Sequence, residues 1–231
     1  MKFLQIFLLP FIFGFPGKKL ITTAVVGSML ALQPVKGEND YLPVLQINTE
    51  ASSAVRIITD KNNIYLYGGI TPESCEMLKN QLNEMNYNGK IFKTTYNSEP
   101  PPINLHIQSG GGALMPTFYI VDLIESMETP VHTYVDGYAA SAASLISVVG
   151  QKRFMSKNSM ILIHQLSSGS KGKYNEIEDD KQNMDLMMRK LREIYMRKTL
   201  IPLSKLNDIL SRDLWMDAET CKKLGLVDEI I

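Results

Sequence analysis

Gly137-Tyr138-Ala139-Ala140-Ser141-Ala142-Ala143-Ser144 decides the fold of this chain, together with Ile161-Leu162-Ile163-His164-Gln165 downstream. The first stretch leaves a β-type run at 131–135 and enters an apolar helical run that reaches Val149, so Ser141 stands at a strand-to-helix junction among very small side chains. The second stretch ends an apolar strand in a histidine. The C-terminal ends of strands are where α/β proteins gather their sites. A serine becomes a nucleophile only if a base takes its proton, and neutral imidazole suits that task near neutral pH.

Working outward, strands and helices alternate. A β-type run at 63–67 ends in Gly68-Gly69. Thr71-Pro72-Glu73-Ser74 opens a helix: Thr71 can cap it, Pro72 suits its first turn, and Met77, Leu78 and Leu82 supply its apolar face. Residues 87–102 hold Asn, Gly, Ser and three consecutive prolines and read as a surface loop. A strand at 103–108, the turn Gly110-Gly111-Gly112 and a helix near 115–127 follow. Further strands are expected at 153–155 and 160–163. A long helix is predicted near 175–200, with Ile177, Met184, Met188, Leu191 and Tyr195 at helical spacing. Its acidic residues come first and its basic residues last, which complements the helix dipole. Asp217 caps a short helix that ends near Gly225. This alternation predicts a parallel, layered α/β fold.

The 231 residues suffice for one such domain with a real core. Lysine plus arginine and aspartate plus glutamate number 24 each, without the basic excess of a nucleic-acid-binding protein. Cys75 and Cys221 are far apart and form neither a disulfide framework nor a metal motif. With three histidines and no paired ligand motif, no metal site is expected. The N-terminus differs from the rest: residues 3–15 are almost wholly apolar, Lys18-Lys19 follow, and a second apolar run spans 20–32. The first run is shorter than the ~20 residues of a membrane span. No acidic residue precedes Glu38 and no arginine precedes Arg56. Residues 1–37 therefore read as a two-part targeting leader of plastid type, or a retained membrane-associated segment. Residues 38–62 read as a variable, poorly patterned lead-in and 63–231 as the working domain.

Each candidate site residue has a plain alternative. Ser141 among alanines can serve close packing alone, His164 can be a satisfied core histidine, and Asp213 in Ser211-Arg212-Asp213-Leu214-Trp215 can be a solvated loop carboxylate. Asp213 is the candidate that orients the imidazole. His106 and His132 lie within or at the start of strands and read as packing or edge residues.

Four blocks in order tie these residues together. They are Ile103-Asn104-Leu105-His106-Ile107-Gln108-Ser109-Gly110-Gly111-Gly112, the serine block, Asn158-Ser159-Met160-Ile161-Leu162-Ile163-His164-Gln165, and Arg212-Asp213-Leu214-Trp215-Met216 with Gly225-Leu226-Val227-Asp228. From Asn63 to Ile231 the chain resembles the proteolytic subunit of the Clp protease (ClpP), a serine peptidase of the crotonase-like fold. The resemblance implies a layered fold of repeated ββα units with a protruding long helix. It implies Ser141 as nucleophile, His164 as base and Asp213 as its orienting group, with the backbone N–H groups of Gly111 and Ala142 as oxyanion donors. Gly112, Ala113 and Leu114 would pair with substrate as an added strand. The resemblance further implies stacked seven-subunit rings, homo-oligomeric or mixed, that degrade unfolded polypeptides, with a Clp-type AAA+ unfoldase as partner. No phosphate-binding loop occurs in the chain, so any ATP would be used by that partner and no cofactor is expected here. Departures from the family pattern are Gly110 and Leu166 where it has prolines, and Ala142 where it has methionine. The competing readings are a non-catalytic subunit of a mixed ring and a crotonase-fold acyl-CoA enzyme, which shares the glycine turn but needs no triad.

Overall fold

The sheet is built on strands whose alternate residues face a helical layer. A computed structural model describes residues 56–231; the leader and the lead-in up to residue 55 lie outside the described residues. The strands are β1 (Arg56–Asp60), β2 (Asn63–Tyr67), β3 (Ile103–Ser109), β4 (Val131–Ala140), β5 (Lys152–Met155), β6 (Met160–Leu162), β7 (Trp215–Met216) and β8 (Glu229–Ile230). The helices are α1 (Pro72–Tyr96), α2 (Leu114–Ser126), α3 (Ala142–Val148), α4 (Tyr174–Lys198), α5 (Leu203–Leu210) and α6 (Ala218–Lys223). The sheet runs β1-β2-β3-β4-β5-β8, with β6 beside the end of β4 and β7 beside β6. From β2 to β8 that order is parallel; β1–β2 and β6–β7 are antiparallel. This is the layered α/β fold expected.

Ile64, Leu66, Leu105, Ile107, Val131 and Val135 point to the helical side and are fully or nearly fully buried. Each such aliphatic side chain contributes about 1.5–3 kcal/mol by leaving water. On the other face the register sets Tyr65 beside His106, His106 beside Tyr134 and Tyr134 beside Phe154. Their rings stack at centroid distances of 4.8, 4.7 and 4.7 Å across four strands. His106 Nδ1 meets Asp136 Oδ2 at 2.8 Å, and the Tyr67 hydroxyl donates to the same oxygen at 2.9 Å. His106 and His132 are thus sheet-face residues, and burial, then Lys152, lowers the His132 pKa.

Three segments differ from the sequence reading. Residues 87–96 are not loop but the end of α1. Gly89 lets that helix approach Thr129, where a β-carbon would sit 2.1 Å from Oγ1. Asn86 Oδ1 accepts the Thr129 N–H, and Phe92 packs on Tyr96 one turn on. The helix stops at Asn97, in the left-handed region at φ 47°, so only 97–102 is loop. Residues 56–60, placed in the unpatterned lead-in, form β1, whose exposure on both faces gives no alternation to read. Helix α5 was not anticipated; it follows Pro202 and buries Leu206 and Leu210. Cys75 and Cys221 are free and buried, and burial pushes the Cys221 thiol up to about 12. No helix among the described residues is long and apolar enough to cross a membrane.

Arg153 locks the C-terminal end to the sheet. Its guanidinium pairs with both Asp228 oxygens and donates to the carbonyls of Lys198 and Gly225. Burial raises the Asp228 pKa, and the Arg153 bonds and charge outweigh this and lower it overall. The stability from this pair is therefore present above the unfolded carboxylate's pKa and is lost as pH falls through the lower folded value. Arg153→Ala is expected to remove about 1–3 kcal/mol, less than a fully buried pair because water screens the partly exposed Asp228 carboxylate, and most of this acid dependence. Urea midpoints measured across acid pH check both; an unchanged midpoint contradicts the clamp.

Candidate active site

The strand register assembles the site. β4 and β6 pair in parallel with Ala140 beside Leu162, so Ser141 and residues 163–164 emerge together from adjacent strand ends. β6 and β7 pair antiparallel with Leu162 opposite Trp215, and continuing that ladder two residues sets 164 opposite 213. Three segments distant in sequence meet at one sheet edge for this reason alone. A slip in the β3–β4 register between Ile107 and Ser109 accompanies Gly137 at φ 97° and lengthens β4 to Ala140, beyond the end expected at Val135.

Ser141 sits between β4 and α3 with φ 54° and ψ −126°. A side chain rarely adopts this conformation, which costs about 1–3 kcal/mol and persists only when the surroundings enforce it. Its N–H donates to Leu162 O at 2.9 Å. The sharp strand–turn–helix path presents the hydroxyl at the junction, as a nucleophile requires. Ala142 opens α3, so its N–H has no acceptor within the helix.

His164 Nδ1 lies 3.0 Å from Asp213 Oδ1. A carboxylate only accepts, so the proton of neutral His164 sits on Nδ1 and Nε2 keeps a free lone pair, the form a general base needs. No hydrogen bond joins Ser141 Oγ to His164 among the described residues; such contacts often tighten only when substrate binds. The Asp213 side chain is 79 % exposed and that of His164 25 %, so water weakens the pair in the isolated chain. Trp215 stays half exposed and packs edge-on against Tyr138 with ring centroids 6.1 Å apart. The segment after His164 is anchored twice: Gln165 N–H donates to Leu210 O at 2.8 Å, and Leu166 N–H to Met188 Sδ at 3.1 Å.

The glycine turn presses on the serine. A β-carbon on Gly111 would sit 2.7 Å from Ser141 Cβ and 3.0 Å from Ala142 N. Gly111 N–H is not open to a ligand but donates to the buried Ser109 Oγ at 3.1 Å. Rotating the Gly110–Gly111 peptide would free it. The Ala113 N–H donates to Ile70 O at 2.8 Å and its C=O accepts from Thr117 Oγ1 at 2.7 Å. Since Gly111 O and Ala113 N face Ile70, alternation turns the polar groups of Gly112 to the opposite edge. Gly112, and the N–H of Leu114 at the start of α2, are what remain for an added strand. Ser109 and Met188 read only as members of a motif and of a helical stripe, without a role at the site; Ser109's place immediately before the glycine turn was the available signal.

A family model described as Clp protease matches residues 48–231. The chain belongs to the Clp protease family. The match covers well over half of the sequence and includes the serine, histidine and aspartate segments, the glycine turn and the long helix. Membership makes this a protease of the ClpP type and agrees with the mixed α/β architecture. The match also begins before β1, which draws that strand into the family domain.

Proposed function

We propose that this chain is a serine endopeptidase subunit that cleaves unfolded polypeptides. The observation that carries the proposal is the His164–Asp213 pair at 3.0 Å, set by strand register beside a serine whose backbone is strained at the mouth of a helix. In the first half-reaction His164 Nε2 takes the Ser141 proton as Oγ attacks the substrate carbonyl. The tetrahedral oxyanion is met by the N–H groups of Ala142 and, once its peptide has turned, Gly111. His164 then returns the proton to the departing amine, leaving an acyl-serine. Water, deprotonated by the same imidazole, releases the acid and restores the serine. No cofactor enters this sequence. The test is an alkyl fluorophosphonate with the modified residue mapped: labelling at Ser141 supports the proposal, and active protein labelled elsewhere or not at all sinks it.

We further propose that the subunits form rings enclosing these sites, fed by an AAA+ unfoldase that uses the ATP, in a plastid or comparable organelle. Main-chain recognition is sequence-tolerant, and confinement spares folded proteins. Leu191 is buried within the protomer with Ile194 and Tyr195 and is not free for a ring contact. The same helical stripe runs outward through half-buried Met184 to exposed Ile177, beyond what the protomer covers. A groove of 520 Å³ between α2 and α4, lined by Met115, Phe118, Leu186 and Met187, is a second apolar surface. Replacing Ile177 and Met184 by aspartate should split the assembly into smaller species in solution mass measurements and lower peptide turnover. Wild-type protein that is monomeric yet fully active contradicts the ring.

A further inference from the structure

The backbone of Ser141 is held from behind by a buried chain of hydroxyls that the triad does not use. Ser144 Oγ lies 2.6 Å from the Ser141 carbonyl oxygen and 2.7 Å from the Tyr195 hydroxyl. Ser144 and Tyr195 are both 0 % exposed. A carbonyl oxygen only accepts, so the one Ser144 hydroxyl proton goes to Ser141. Ser144 Oγ is then the acceptor of its second bond, and Tyr195 is the donor. The chain has a single direction, from Tyr195 on α4 through Ser144 on α3 to the carbonyl of Ser141. Hydrogen bonds aligned in this way, away from water, reinforce one another. Burial pushes the Tyr195 phenol above its ordinary range, more than Ser144 lowers it, so it remains a donor.

A serine that bonds back to a carbonyl a turn earlier is ordinary in helices. Two features set this one apart. The carbonyl belongs to the residue at φ 54° and ψ −126°, which needs its surroundings to hold it. The serine hydroxyl is in turn fixed by a tyrosine from a different helix. The same carbonyl also accepts the Ser144 N–H at 3.0 Å, so its direction is fixed by two donors of one residue.

We propose that Tyr195 and Ser144 are positioning residues for Ser141: the Tyr195 hydroxyl orients that of Ser144, which pins the Ser141 carbonyl and so holds the strained backbone that presents Oγ. This rests on Ser141 being the nucleophile. Neither residue touches substrate. Helix α4 thereby reaches both halves of the site, because Met188 on the same helix accepts the Leu166 N–H beyond His164.

The test uses the full-length protein and two readouts, the rate of fluorophosphonate labelling at Ser141 and the kinetics of peptide cleavage. Tyr195→Phe removes the donor alone. Ser144→Ala removes the link and strands the buried phenol. The double variant removes both polar groups and should recover part of the stability that Ser144→Ala loses. Each single variant is expected to slow labelling and kcat about tenfold with KM unchanged, as small misplacements of a reacting group do. The double variant is expected to stay as slow as Ser144→Ala although its melting temperature rises. Activity that returns with stability in the double variant, or single variants labelled at the wild-type rate, overturns the positioning role and leaves the triad standing. Wild-type protein that is not labelled at Ser141 overturns the serine-peptidase reading itself, and this inference with it.

Discussion

Ser141→Ala should abolish peptide hydrolysis, lowering kcat about 10⁴-fold or more, while fold and assembly persist. Removal of the hydroxyl leaves no buried group without a partner, because Oγ makes no hydrogen bond within the protein among the described residues. Alanine keeps the β-carbon and therefore the backbone strain at φ 54°. Ser141→Gly separates the two contributions. It should be equally inactive but more stable than Ser141→Ala, by about 1 kcal/mol, since glycine adopts this conformation freely. That ordering is the signature of strain kept for presenting a nucleophile. Turnover of a short fluorogenic peptide and thermal melts of the purified variants measure both. Near-normal turnover in Ser141→Ala removes the serine from the mechanism.

Much of the fold was legible because its cause is periodic. Strands buried on one face alternate, as in Ile103–Ser109, and helices carry apolar residues every three or four positions, as in Tyr174–Lys198. What escaped lacked that pattern or carried too little of it. Strand β1 is exposed at four of its five residues, so no alternation marks it. The end of α1 is rich in Asn, Lys and Thr and contains a glycine; its helix is held by a tertiary partner, Thr129, which packs on Gly89 and bonds Asn86, and by the local stacking of Phe92 on Tyr96. Helix α5 carries Leu203, Leu206 and Leu210 at helical spacing behind Pro202, a pattern that was present but short.

The site was legible in a different way. Ser141 and His164 stand out by chemistry at strand ends, and Asp213 came from its motif. Their meeting follows from the register of β4, β6 and β7, which the composition of those strands does not announce. The orientation of one peptide plane was not legible at all. Whether Gly111 N–H faces a ligand or Ser109 Oγ depends on two dihedral angles that glycine leaves unrestricted. The Ser144–Tyr195 bond was hidden likewise: Tyr195 read as one more apolar position of a helix, and its hydroxyl finds its partner only in the packed structure.

Gly111 is where these two kinds of information converge, and Gly111→Ala should be the most damaging substitution that leaves the triad intact. The residue has φ 91°, a conformation that strains any side chain. A β-carbon there would fall 2.6 Å from Ala140 O and 2.7 Å from Ser141 Cβ, so neither neighbour can swing away as the end of a flexible side chain would. The backbone must shift instead, and it carries both the nucleophile and the Ala142 N–H. An oxyanion donor displaced in this way costs about 10²–10³ in kcat. Gly110→Ala is the control: its β-carbon would meet nothing within 4 Å, and its φ lies outside the left-handed region. Gly110→Ala should keep activity within about threefold of wild type, since exposed substitutions of this kind change stability little. Steady-state kinetics on both variants, with circular dichroism to show that each is folded, decide the matter. If folded Gly111→Ala hydrolyses peptide as fast as Gly110→Ala, the glycine turn is packing only, and the oxyanion must be held by Ala142 and other donors.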